Sequence, residues 1–139
     1  LPEKMLQGIV PFNILGMVGR SEPDLSAFSK EAVAEYVKAF KDPKAVHASC
    51  EDYRAAGTID LEHDRADRAA GRKLAMPLLA LWGADAVVGK MFDCLADWRA
   101  VAEDVRGGLV PDSGHWVAEE QPEFIAQQLL QFFEEPTRA

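Results

Sequence analysis

The sequence predicts an α/β fold: a helical region over about residues 1–72, then the closing strands and helices of a parallel sheet over about residues 73–139. Three observations carry this. Val33, Tyr36, Val37 and Phe40, then Val46, Cys50 and Tyr53, recur every three to four positions, the period of an amphipathic helix. Leu78-Leu79-Ala80-Leu81-Trp82 is then a short unbroken apolar run between Pro77 and Gly83. Being apolar on both faces, it reads as a buried parallel strand. From there to the end the pattern alternates strand, helix, strand, helix, as in the back half of an open α/β sheet.

The elements follow in order. Residues 1–23 carry Gly8, Pro11, Gly16, Gly19 and Pro23 and read as loop, with one short helical turn around Phe12 to Val18. A helix is expected over Asp24–Lys41, with Val33, Tyr36, Val37 and Phe40 on one face. Ser29 is its cap, and Glu31 in its first turn faces the positive end of the dipole. Asp42-Pro43 caps and opens a second helix that runs to Ala56 and stops at Gly57, with Val46, Cys50 and Tyr53 along one stripe. A strongly charged third helix spans Asp60–Ala70. Past Gly71 come the Leu78–Trp82 strand, a helix over Asp93–Ala102 with Leu95, Trp98 and Ala102 inward, and a second strand over Val105–Pro111 bulged at Gly107-Gly108. A helix over Gln121–Glu135 closes the chain, with Ile125, Leu129, Phe132 and Phe133 as its apolar face. A buried strand needs neighbours on both edges, and two strands cannot cover Leu78–Trp82.

Composition narrows the partners. A net charge of −8 disfavours nucleic acid and anionic membranes, although a local cationic pocket still admits a small anion. No apolar run reaches the roughly 20 residues that span a bilayer, and Leu6–Val18, interrupted by Pro11 and Asn13, does not read as a signal peptide. Cys50 and Cys94 lack metal or redox spacing and read as reduced thiols of a cytoplasmic protein. The first residue is Leu1 rather than Met, which suggests a piece of a longer reading frame.

The chemistry centres on Asp112-Ser113-Gly114-His115-Trp116. A histidine on a tight Gly-containing loop after a strand sits where α/β proteins mount reactive groups. Trp116 can wall one side of the ring from water, and an imidazole there suits proton transfer near neutral pH. His115 is therefore the candidate general base. Its second nitrogen needs a carboxylate. Asp112 is too near in sequence, and Asp85, on the loop after the first strand, is the better candidate within the chain. His47 and His63 have no metal spacing: His47 reads as an exposed or rim residue, His63 as a structural hydrogen-bonding residue. No metal site or cofactor is expected.

Cys50-Glu51-Asp52-Tyr53-Arg54-Ala55, Glu62-His63-Asp64, Ala80-Leu81-Trp82-Gly83, Trp98-Arg99 and Ser113-Gly114-His115, in that order, resemble the fluoroacetate (haloacetate) dehalogenases of the α/β-hydrolase superfamily. The likeness extends over most of the chain from about Leu25. It implies a partial α/β-hydrolase fold, a helical cap followed by the His-bearing end of the sheet. It also implies hydrolysis through an aspartyl ester, with His115 activating water and Tyr53 hydrogen-bonding the departing halide of a small haloacid. In that family the nucleophile, the carboxylate-binding arginines and the acid orienting the histidine precede the cap, which sets Asp85 outside the expected triad. Val18 stands where the family carries an aromatic pocket residue. No strand–nucleophile–elbow–helix pattern occurs in these 139 residues. The chain is thus expected to need a missing half for turnover. The alternatives are an epoxide or ester hydrolase of the same fold, or a non-catalytic module that assembles, as a homo-oligomer, through the uncovered sheet edge.

Overall fold

A computed structural model describes residues 2–19 and 25–134. The chain divides into two compact units, Leu1–Ala69 and Ala70–Ala139.

The first unit is helical: α1 (Pro2–Gly8), α2 (Val10–Val18), α3 (Lys30–Phe40), α4 (Pro43–Ala56) and α5 (Ile59–Ala69). Its centre is Val10, Ile14 and Val46, packed against Leu6, Tyr36, Val37 and Phe40. The expected apolar stripe of α3 therefore does face the core. Ser29 caps that helix by accepting the Ala32 N–H at 3.0 Å, and Asp42 caps α4 by accepting from Lys44 at 2.9 Å. Two expectations are corrected. Residues 2–18 form two helices, not a loop. Pro2 and Pro11 sit in first turns, where a missing N–H costs nothing, and buried Val10, Ile14 and Val18 outweigh the roughly 1 kcal/mol that Gly16 costs within α2. The helix expected over Asp24–Lys41 is α3, and it begins at Lys30, after its Ser29 cap. Pro23 and Asp24 lie outside the described residues. The whole of α5 is exposed, its charged face together with Ile59 and Leu61.

One ion-pair group joins α1 to α4. Arg54 donates to Glu3 at 2.6 Å and also binds Glu51, and His47 Nδ1 lies 3.8 Å from Glu3 and 3.9 Å from Glu51. A backbone N–H at Glu3 and the Arg54 guanidinium hold the Glu3 carboxyl down at about 2, against an ordinary value of 4.5.

The second unit contains β1 (Leu78–Gly83), α6 (Val87–Met91), α7 (Cys94–Val101), β2 (Val105–Val110), α8 (Val117–Glu120) and α9 (Pro122–Glu134). The two strands are parallel, from Leu78 opposite Val105 to Gly83 opposite Val110, with a further bridge between Leu74 and Ala102. The register is unbroken, so the expected bulge at Gly107-Gly108 is absent. Gly107 is required for another reason: its φ is +129°, and a side chain there would collide with the Ala80 carbonyl. Asp93 caps α7 by accepting the Ala96 N–H at 3.0 Å. The Arg106 guanidinium lies 5.8 Å from the Phe132 ring centre and ties α9 to β2.

Burial in this unit departs from expectation. Within β1 only Ala80 and Gly83 are buried, and the leucines and Trp82 are half-buried. On β2, Leu109 is 55% exposed, and on α9 Phe133 is 78% exposed rather than facing the core. Trp98 of α7 is exposed as well. The cause is common to all: among the described residues the sheet has two strands, so these apolar faces lack a covering layer. The expected end of the last helix at Glu135 lies outside the described residues. Among the described residues no helix is long and apolar enough to cross a membrane.

A carboxyl whose folded value lies below its unfolded one stabilises the fold above the unfolded value, and the contribution is lost as pH falls towards the folded one. The Glu3 contribution is therefore complete above about 4.5 and lost on acidification towards about 2. Carboxyl-detected NMR titration should find Glu3 protonating well below its ordinary 4.5, towards about 2. Arg54→Ala should raise its midpoint only part of the way back, because the backbone N–H remains. A wild-type Glu3 that titrates near 4.5 contradicts the assignment.

Candidate active site

Because β1 and β2 are parallel, their carboxyl ends open on one edge of the sheet, and the loops after both strands meet there. β2 ends at Val110, which is completely buried. The chain then turns through Asp112, whose φ of +47° is a left-handed conformation that aspartate tolerates better than most residues. Ser113 is 2% exposed, and its hydroxyl donates to the Val110 carbonyl at 3.0 Å.

The loop after β1 closes on this turn. The Ala84 N–H donates to the Val110 carbonyl and the Asp85 N–H to the Ser113 carbonyl, each at 2.9 Å. Gly83 is buried beneath the turn, and a side chain on it would overlap the Ser113 and Gly114 carbonyl oxygens. The glycine of Leu81-Trp82-Gly83 is thus the condition for the two loops to touch.

From the other side the turn is gripped by α8. The Glu120 carboxylate accepts the Gly114 N–H through one oxygen and the Trp116 N–H, at 3.0 Å, through the other. Gln121 donates its side-chain N–H to the Asp112 carbonyl at 3.1 Å.

His115 emerges from this support exposed to solvent, with its ring edge-on to Trp116 at 4.8 Å between centres and 86° between planes. Trp116 stands against one side of the imidazole. Asp85 is exposed and bound to the His loop through its backbone N–H, and its carbonyl accepts from Lys90 at 3.1 Å. His115 thus stands exposed at the carboxyl edge of the parallel sheet.

In the first unit, Tyr53 lies in the last turns of α4 and is 77% exposed, so it does not extend the buried Val46 stripe. Its phenol is available to a ligand. Val18 is buried on α2, His47 is exposed within the Arg54 group, and His63 is exposed on α5. Glu3, His47 and Glu51 bring ligand atoms within 4.8 Å of one another, the spacing of a metal site, but Arg54 already supplies the cation there. Cys94 is buried and Cys50 half-buried, both as free thiols.

Sequence reasoning missed Glu120. A signal existed: an acidic residue in the first turn after a Gly-containing loop marks a carboxylate that reaches back to cap exposed N–H groups. Here it sits one position later than the usual capping spacing.

No protein-family model matches the chain. It is 35% identical to the fluoroacetate dehalogenase of Burkholderia sp over 105 residues, which are 76% of this chain and 34% of that protein. It is 38% identical to the soluble epoxide hydrolase of Corynebacterium sp. (strain C12) over 108 residues, 78% of this chain and 35% of the relative. Among solved structures, a Nostoc sp PCC 7120 protein assigned to the α/β hydrolases superposes with a TM-score of 0.90 at 40% identity, over 98% of this chain and 46% of that one. The chain thus spans about a third of the length of these two curated relatives.

Substituting Gly83→Ala should push the two loops apart and destabilise the second unit by about 2–3 kcal/mol. The amide NMR signals of Ser113 to Trp116 should shift in the same variant. An unchanged urea midpoint with unmoved loop signals contradicts the role given to Gly83. The fold and the sequence likeness agree, and over the part of the fold it carries the chain belongs to the α/β-hydrolase superfamily.

Proposed function

We propose that this chain is the cap and His-bearing portion of a haloacetate-dehalogenase-like hydrolase, in which His115 is the general base. The reading is carried by one observation: an exposed histidine, braced from beneath, stands at the carboxyl edge of a parallel sheet. An aspartate on polypeptide outside these residues attacks the carbon that bears the halogen, forming a C–O bond as the C–halogen bond breaks and the halide leaves with the bonding pair. His115 then takes a proton from water as the water oxygen bonds to the ester carbonyl carbon. The adduct breaks its bond to the alkoxide, which leaves as the hydroxy acid with the adduct's remaining proton. The aspartate is restored as a carboxylate, and His115 gives its proton up to solvent. In this reading the helical unit acts as the cap, and the exposed Tyr53 phenol donates to the departing halide, as an oxyanion-hole donor stabilises developing charge. The haloacid carboxylate finds its cationic partners on the absent polypeptide.

A second reading has one observation in its favour: the identity to the Corynebacterium epoxide hydrolase, 38%, is as high as that to the dehalogenase. The same ester chemistry opens a strained three-membered ring, and a phenol that donates to a halide donates equally to an alkoxide oxygen. His115 has the same task in both.

By itself the chain should release no halide from fluoroacetate or chloroacetate and open no epoxide. A halide electrode and product chromatography, on a preparation shown by intact mass to hold this polypeptide alone, make the test. Turnover by that preparation overturns the assignment of the nucleophile to other polypeptide.

A further inference from the structure

We propose that Glu120 is the positioning residue of His115: its single carboxylate sets the backbone on both sides of the imidazole. The inference rests on His115 being the reactive group, and it names what aims that group. The two N–H groups that Glu120 accepts belong to Gly114 and Trp116, the residues immediately before and after His115. A bond on each flank fixes the direction in which residue 115 leaves the loop, which neither bond fixes alone.

The need for such a device follows from the rest of the loop. Backbone contacts with the β1 side hold it as far as Ser113 and the Gly114 carbonyl. Gly114 is itself the most pliable residue of the stretch. From there to α8 the Trp116 N–H is taken by Glu120, and the same helical turn is started by the Glu119 and Glu120 N–H groups donating to the Trp116 carbonyl, both at 2.9 Å. The carboxylate therefore closes a short ring of bonds around His115, and it does so half-buried, where hydrogen bonds to an ionised acceptor are roughly twice as strong as neutral ones. The side-chain type matters too. Glutamine has one oxygen and one N–H₂, so it can accept one bond but turns a donor towards the other N–H. Aspartate is one methylene shorter than the span.

The test is amide hydrogen exchange and ring NMR on the 139-residue chain. Glu120→Ala should speed exchange at Gly114 and Trp116 by about tenfold. It should also abolish the shift of the His115 ring protons caused by the edge-on Trp116, while amides of Leu81 and Val110 in the strands keep their rates. Glu120→Gln should release one of the two amides and spare the other, a split that a general loss of stability does not produce. If Glu120→Ala does not fold, the Gln variant decides. Unchanged exchange at both amides, or equal acceleration at the strand amides, overturns the proposal. These readouts report geometry, so they stand apart from catalysis: if His115→Ala in a completed hydrolase leaves turnover intact, the base reading falls while the clamp is judged on its own result.

Discussion

The Ser113 and Gly114 carbonyl oxygens occupy the space that a side chain on Gly83 would need. That close passage of two backbones is the constraint on which the site depends. It requires parallel strands, because only then do the loops after β1 and β2 leave from the same edge. It also requires the observed register, which places Gly83 opposite Val110, three residues before the Ser113 carbonyl that meets the Asp85 N–H. The histidine need not be buried to be held. Its loop is buried at Ser113 and braced at Glu120, while His115 itself is exposed.

The sheet itself is under-built for its composition. Leu78–Trp82 is apolar on both faces, yet among the described residues one strand pairs with it and its leucines remain half exposed. Leu109, Phe92, Met91 and Phe133 of the same unit are exposed as well. A relative of which this chain covers about a third has ample further polypeptide to lay over such faces. The helical unit differs: α2, α3 and α4 enclose a core of their own around Val46, and the Arg54 group joins α1 to α4.

Much of this was legible in residue order. Pro77 and Gly83 bracket β1, Ser29 and Asp42 announce α3 and α4, and the three-to-four spacing of Val33, Tyr36, Val37 and Phe40 names the core face of α3. The failures have physical causes. Glycines and prolines in residues 2–18 mimic a loop, because local propensity does not see the buried stripe formed by Val10, Ile14 and Val18. Phe133 and Trp98 were expected inside because periodicity shows that a face is apolar, not that a partner for it is present. At the site, His115 could be found from its loop. Glu120 could not be ranked above its acidic neighbours, since its function lies in two backbone N–H groups that have no side-chain signature.

The central claim is that His115 activates the water that hydrolyses an ester formed on another stretch of polypeptide. The most direct measurement assembles this chain with the complementary portion of the Burkholderia fluoroacetate dehalogenase, confirms halide release, and repeats the reaction with His115→Ala. Intact-mass spectrometry then follows the nucleophile-bearing polypeptide. The account predicts one burst of halide and an accumulating ester adduct in the variant, against steady turnover and little adduct in the parent. Sustained halide release by the variant at the parent rate, with no adduct, contradicts it.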